Sequence, residues 1–218
     1  SGQPTLDTVE VYVVGGTDRN YTQVDLTGDI IYTDDSIADP LADLPYPFYD
    51  VNNDLGEITA GNGEELTFGP GYYSEGLNLR NNGGIVNLTP GIYILDGDGF
   101  DVSGGTINAP GVMFYIVDTT PNNPHESRVD ITGNPTINVT QPDPDTYTYP
   151  GSPDITPYAD GGVTIFQARE NTNDSRVLGT AGFFLSGTIY MPNNHIEIGG
   201  TSDSLANALI ADTIEVQG

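Results

Sequence analysis

The sequence predicts a right-handed parallel β-helix with rungs of about 20 residues and long lateral loops. Three observations carry that expectation: short apolar runs of period two, a high density of turn formers, and a Pro-Gly motif that returns at fixed spacing. Runs such as Leu77-Asn78-Leu79, Val129-Asp130-Ile131, Ile196-Glu197-Ile198 and Ile214-Glu215-Val216 place one side chain in and the next out, which is the strand period. With 28 glycines and 16 prolines the chain is too rich in turn residues for helices, and 13 tyrosines and 7 phenylalanines supply strand formers. The one helix-like stretch, 204–211, has strand-like neighbours and reads as strand.

The repeat fixes the architecture. Gly69-Pro70-Gly71-Tyr72-Tyr73, Thr89-Pro90-Gly91-Ile92-Tyr93 and Ala109-Pro110-Gly111-Val112-Met113 place Gly71, Gly91 and Gly111 at steps of 20. Asp160-Gly161-Gly162-Val163-Thr164 and Ser186-Gly187-Thr188-Ile189-Tyr190 are degenerate later copies. Two further short strands fit between successive copies, as in Gly84-Ile85-Val86-Asn87-Leu88 and Phe100-Asp101-Val102-Ser103-Gly104. One rung buries too little alone, so stacking at about 4.8 Å per rung must make the core continuous, and roughly eight rungs make a rod of about 40 Å. Gly83-Gly84, Gly104-Gly105 and Gly199-Gly200 suit corners that need positive φ. An antiparallel sandwich also uses many short strands, but it gives no reason for a fixed register.

In chain order, residues 1–60 read as N-terminal rungs carrying a proline-containing excursion at 34–54. Regular rungs occupy 61–140, broken by a polar insertion at 118–128. A Pro/Asp/Tyr-rich insertion fills 141–160, and 161–218 closes the solenoid as one domain. Loops this long on a repeat scaffold are where recognition concentrates.

Charge narrows the function classes. Thirty-one acidic residues face five basic ones, all arginine, for a net charge of −26. Nucleic acid is excluded as a partner because phosphate contacts need a basic surface, and an anionic bilayer repels such a chain. The absence of cysteine and lysine removes disulfides, thiolate metal sites, Schiff bases and lysine phosphate sites. No apolar run approaches the roughly 20 residues that span a bilayer, so this segment does not insert, and no signal sequence is recognisable.

Candidate sites follow from side-chain chemistry. Asp96-Gly97-Asp98-Gly99-Phe100-Asp101 offers three carboxylates, Asp96, Asp98 and Asp101, on a flexible backbone, which suits calcium. The competing reading is an acidic turn facing water; Asn52-Asn53-Asp54 with Glu57, and Asp143 with Asp145, are weaker sets. Tyr147, Tyr149 and Tyr158 form a tyrosine-rich recognition candidate for a glycan or a protein. Thr27, Thr89, Thr106 and Thr188 are candidates for one flat polar face, although threonine is common on strand surfaces. Asn87-Leu88-Thr89 and Asn138-Val139-Thr140 are glycosylation sequons. His125 and His195 read as solvated loop or corner residues, and Asp34-Asp35 lies out of order for a polysaccharide hydrolase. Neither a Gly-His-Gly nor a nucleophile elbow occurs, so no catalytic residues are expected.

The stretch Ile37-Ala38-Asp39-Pro40-Leu41-Ala42-Asp43-Leu44-Pro45-Tyr46-Pro47 resembles the "DPLA-x-LP-x-P" segment of TadG-like proteins, which accompany the tight-adherence pilus machinery. Leu88-Thr89-Pro90-Gly91-Ile92-Tyr93, Gly111-Val112-Met113-Phe114-Tyr115-Ile116 and Leu185-Ser186-Gly187-Thr188-Ile189-Tyr190-Met191-Pro192 extend the resemblance. Ile196-Glu197-Ile198-Gly199-Gly200 and Ala208-Leu209-Ile210-Ala211-Asp212-Thr213-Ile214 complete it. It implies the exported part of a bacterial surface protein, extracellular or on the cell surface, with an adhesive or pilus-assembly role and no enzyme activity. Val163-Thr164-Ile165-Phe166-Gln167 is also similar to strings of β-helical ice-binding proteins. Other expectations are self-stacking into a filament or sheath through open solenoid ends, with calcium bridging the acidic copies, ice binding, and a polysaccharide-active enzyme.

Overall fold

The computed structural model describes residues 5–6, 10–14, 25–26, 29–33, 38–80, 83–120, 126–178, 183–199 and 207–217. Thr27, Asp34-Asp35, His125, Gly200 and 204–206 lie outside them. The fold is the expected parallel β-solenoid, of about 7 turns. Strands β1 (Thr5–Leu6), β2 (Glu10–Val14), β3 (Asp25–Leu26) and β4 (Asp29–Thr33) make two parallel pairs, β1 with β3 and β2 with β4. Thr5 lies opposite Asp25 and Glu10 opposite Asp29, so the one-rung step is already present in this segment.

From there the chain cycles through three faces. β5 (Glu57–Ile58), β6 (Glu65–Phe68) and β7 (Gly71–Tyr73) begin them. β8 (Gly76–Leu79), β9 (Ile85–Leu88) and β10 (Gly91–Leu95) stack on these, then β11 (Gly99–Val102), β12 (Thr106–Ala109) and β13 (Val112–Ile116). β14 (Arg128–Ile131) and β15 (Thr136–Val139) follow the first insertion. The second insertion carries α1 (Thr156–Asp160), the one helix among the described residues, and leads to β16 (Val163–Gln167). β17 (Ser175–Val177), β18 (Phe183–Leu185), β19 (Thr188–Gly199) and β20 (Ala208–Gln217) complete the stack. β19 turns a corner, pairing β16 with its first part and β17 with its last, and β20 follows it along both faces.

The three faces differ in what lies outside them. On the faces built by β5, β8, β11, β14 and β17, and by β6, β9, β12, β15 and β18, the strands keep positions open to solvent, and β9, β12 and β15 alternate buried with less buried residues, as in Thr106–Ala109. The third face, of β7, β10, β13 and β16, is different: every residue of β10, β13 and β16 is buried. A sheet buried on both sides needs apolar residues on both, which is why Gly91-Ile92-Tyr93-Ile94-Leu95 and Val112-Met113-Phe114-Tyr115-Ile116 are continuous apolar runs. Inside, Tyr73 stacks on Tyr93 at 6.0 Å, and Phe114 packs edge-on to Phe100 at 4.8 Å, within a core that includes Val86, Ile107, Val129 and Ile137. Outside, Tyr72, Ile92, Ile94, Met113, Tyr115, Phe166 and Tyr190 form a second core.

The lateral loops cover that second core. Leu44, Ile155 and Tyr158 are buried against it, with Leu41, Tyr49 and Tyr149 at its margin. Arg169 clamps the cover. Its guanidinium donates to the carbonyls of Leu41, Ala42 and Leu44 at 2.7–3.2 Å and lies 5.1–5.4 Å from the ring centres of Tyr46, Phe166 and Tyr190. The Tyr190 hydroxyl donates to Asp39 and that of Tyr158 to the Pro45 carbonyl.

The glycine motif and the stacking register do not coincide. Gly71 lies opposite Tyr93 and Gly91 opposite Val112, steps of 22 and 21 rather than 20. Corner lengths vary, and cross-strand pairing follows inward apolar side chains rather than motif identity. Two corner glycines are nonetheless obligatory. A Cβ on Gly84 would sit 2.2 Å from the Glu64 carbonyl oxygen of the rung below, and Gly105 adopts φ +72°.

Candidate functional site

The outward positions of the β8–β11–β14–β17 face carry the chain's concentrated charge. Register stacks Asn78, Asp101, Asp130 and Arg176 in one column, continued by Glu197 and Glu215 on β19 and β20. Parallel stacking would set Asp101 directly over Asp130, and like charges opposed across strands destabilise a sheet. Guanidinium groups relieve this. Arg80 reaches across one rung to Asp101. Arg176 holds Asp130 through two parallel bonds of 2.7 and 2.8 Å, and Arg128 bridges Glu126 at 2.5 Å and Asp130 at 3.3 Å. These bonds raise the Arg80 and Arg176 pKa values above their ordinary range, hydrogen bonding to Asp101 and Asp130 respectively being the main cause.

The result is a groove of about 380 Å³ lined by Arg80, Arg128 and Arg176, by Asp98, Asp101, Glu126 and Asp130, and by Ser103 and Thr132. Arg80 and Arg176 are 50% and 44% exposed along their side chains while Asp130 is only 11% exposed, so Asp130 is held and these two cations face out. The arrangement can offer interleaved charged donors and acceptors to a polar ligand.

The β9–β12–β15 face presents an amide ladder instead. Asn138 donates to Asn108 at 3.2 Å, Asn108 to Asn87 at 2.9 Å, and Asn87 to Glu65 at 2.9 Å. Both sequon asparagines thus have their amides engaged. Thr106 and Thr136 stack beside this ladder. Of the expected threonine column, only Thr106 lies on this face: Thr89 follows β9 at a corner, and Thr188 is buried in β19 on the covered face. The strand order separates them because residues one rung motif apart on different faces never stack.

The carboxylates expected to hold calcium are not gathered into one cluster. Among the described residues no group of three or more His, Asp or Glu side chains is placed to hold a metal ion. Asp96 is buried and accepts from the Tyr72 hydroxyl at 2.9 Å, the Gly97 and Thr119 amides, and the Thr119 hydroxyl. Burial, followed by the bond to Asp96, pushes Tyr72 up to about 12. Asp98 accepts from the Asn78 amide at 2.8 Å, and Asp101 pairs with Arg80. Each of the three is thus held by partners of its own. Asp54 binds the Gly56 amide and Ser74, and Asp143 closes its own turn with Asp145 and Thr146.

The tyrosines belong to the cover. Tyr158 is 2% exposed, the Tyr149 hydroxyl accepts from the Asp143 amide at 2.6 Å, and the Tyr147 ring lies over Gly111. Burial pushes Tyr158 up to about 12. His195 lies where β19 turns its corner, as expected, 2.8 Å from the Thr213 hydroxyl and 3.7 Å from Glu215. Asn171, Asn173 and Asn194 form a buried corner network with Gln167, Ser127 and Ser175.

Arg80, Arg128, Arg176 and Asp130 were the functional candidates that sequence reasoning missed. The available signal was their chemistry, since they include three of only five cations. Their spacing concealed them, because insertions separate Asp101, Asp130 and Arg176 by unequal steps. No family model matches the chain, and no curated protein or solved structure matches it. No described helix is long and apolar enough to cross a membrane.

Proposed function

We propose that the chain is a non-enzymatic structural or adhesive module of a bacterial exterior, in keeping with its TadG-like motifs. The observation that carries this reading is the pair of outward ladders. Asn87, Asn108 and Asn138 on one face, and the pairs Arg80–Asp101 and Arg176–Asp130 on another, join neighbouring rungs through side chains. A rod held from within by apolar stacking and from outside by polar ladders is suited to bearing load and presenting a fixed surface. Immunogold labelling of intact cells of the source organism tests it. The reading expects label at the surface or on appendages; label confined to the cytoplasm overturns it.

A second reading, self-assembly by end stacking, is favoured by one observation. Ile214 pairs with the core residue Ile196, yet it is 47% exposed on β20, which among the described residues pairs only with β19. A second copy seated there would bury it. Light scattering and electron microscopy with calcium and with EDTA separate the readings, since discrete monomers in every condition sink the filament.

A further inference from the structure

We infer that the groove of the charged face is a binding site for a neutral saccharide chain. The site rests on the groove alone and does not depend on the cellular setting proposed above. A carboxylate only accepts hydrogen bonds, a guanidinium only donates them, and a hydroxyl does both. In the groove Asp101 and Asp130 lie on neighbouring strands about 4.8 Å apart, each beside guanidinium groups, Arg80 at Asp101 and Arg128 and Arg176 at Asp130. A vicinal diol laid across two rungs accepts from one guanidinium and donates to the neighbouring carboxylate, and a sugar chain repeats that pair along its length. Ser103 and Thr132, also in the lining, are small polar positions that leave room for rings.

Other ligand classes fit less well. A polyanion would meet four carboxylates against three guanidiniums, within a chain of net charge −26. An apolar ligand would bury charges without giving them partners. Three of the chain's five cations converge here, so no other described surface offers a hydroxyl oxygen so many charged donors. The donors are also preorganised, since Arg176 is fixed by two bonds to a nearly buried Asp130 on a rigid sheet. None of the lining residues is aromatic, so there is no stacking platform and contact with each sugar is weak.

The test is a titration of the intact chain, with its arginine Nε–H groups observed by NMR. The probes are neutral gluco-, manno- and xylo-hexaoses, with hexagalacturonate as the anionic counterpart, each taken to about 10 mM because millimolar affinity is expected. The inference expects at least one neutral hexaose to shift the Arg80, Arg128 and Arg176 signals saturably. Ser103→Tyr, which fills the groove without touching an ion pair, should weaken binding at least about tenfold. Thr67→Tyr on the amide face should leave it unchanged. If Ser103→Tyr does not keep the native melting temperature, Thr132→Tyr takes its place. The inference is overturned if no neutral hexaose shifts these signals, if hexagalacturonate binds more tightly than every neutral probe, or if the filled-groove variant binds like the parent.

Discussion

Replacing Arg169 with alanine should release the cover from the solenoid while leaving the solenoid folded. The guanidinium makes charge-assisted bonds to three carbonyls and the Tyr190 hydroxyl, and lies over three rings. A bond to a charged group contributes about 1.5–3 kcal/mol and an exposed cation–π contact about 0.5–1 kcal/mol. These do not sum, because Ala42 is exposed and the freed carbonyls regain water. The net loss is about 2–4 kcal/mol, equivalent to an opening constant about 30- to 700-fold larger. Amide exchange read by mass spectrometry over residues 41–46 measures this directly, with β12 and β15 amides as the internal reference. Arg169→Lys keeps the charge but loses the planar fork, so it should fall between alanine and the parent. Protection of 41–46 within threefold of the parent in Arg169→Ala would refute the clamp.

Three further expectations follow from the same contacts. Asn108→Ala removes one amide bond to each neighbouring rung on a half-exposed face, so urea unfolding should show a loss of about 1–2 kcal/mol, whereas Thr67→Ala should change little. Burial pushes Tyr72, Tyr73, Tyr158 and Tyr190 up to about 12 from an ordinary value of 10. The stability these tyrosines confer is therefore full below pH 10 and lost as the pH climbs towards 12. Phenolate absorbance should rise together with unfolding rather than before it. Calcium and magnesium chlorides at matched ionic strength should raise the melting temperature equally, by screening repulsion. A calcium-specific rise abolished by Asp98→Asn would instead show a site.

The solenoid was legible because its signals are local: period two in Leu77-Asn78-Leu79, glycine corners, and Pro-Gly openings. Insertions were legible too, since proline and aspartate interrupt the pattern. What those insertions do was not. Tyr158 looks identical in sequence whether it faces water or, as here, lies buried in the outer core that holds Phe166 and Tyr190. The clue was the unbroken apolar run at 112–116, which requires a cover on its outer side. The charged groove was hidden for a related reason. Asp130 and Arg176 are 46 residues apart, and only the cross-strand register makes them neighbours. Closeness in sequence likewise did not reveal that Asp96, Asp98 and Asp101 take separate partners, Tyr72 and Thr119, Asn78, and Arg80.

Register is thus the claim on which groove, ladder and cover all depend, and engineered disulfides test it most directly in a chain that has no cysteine of its own. Asn108 and Asn138 are cross-strand partners although they stand 30 positions apart in the chain. Two cysteines there sit about 4.8 Å apart at Cα, within the range a disulfide can close. A control pair at Asn108 and Thr136, offset by two residues on the same face, lies roughly 8 Å apart and cannot close without moving the backbone. The account predicts rapid oxidation of Asn108→Cys/Asn138→Cys to a monomer with a raised melting temperature, and none in the offset pair. Equal oxidation of both pairs, or closure of the offset pair alone, would contradict it.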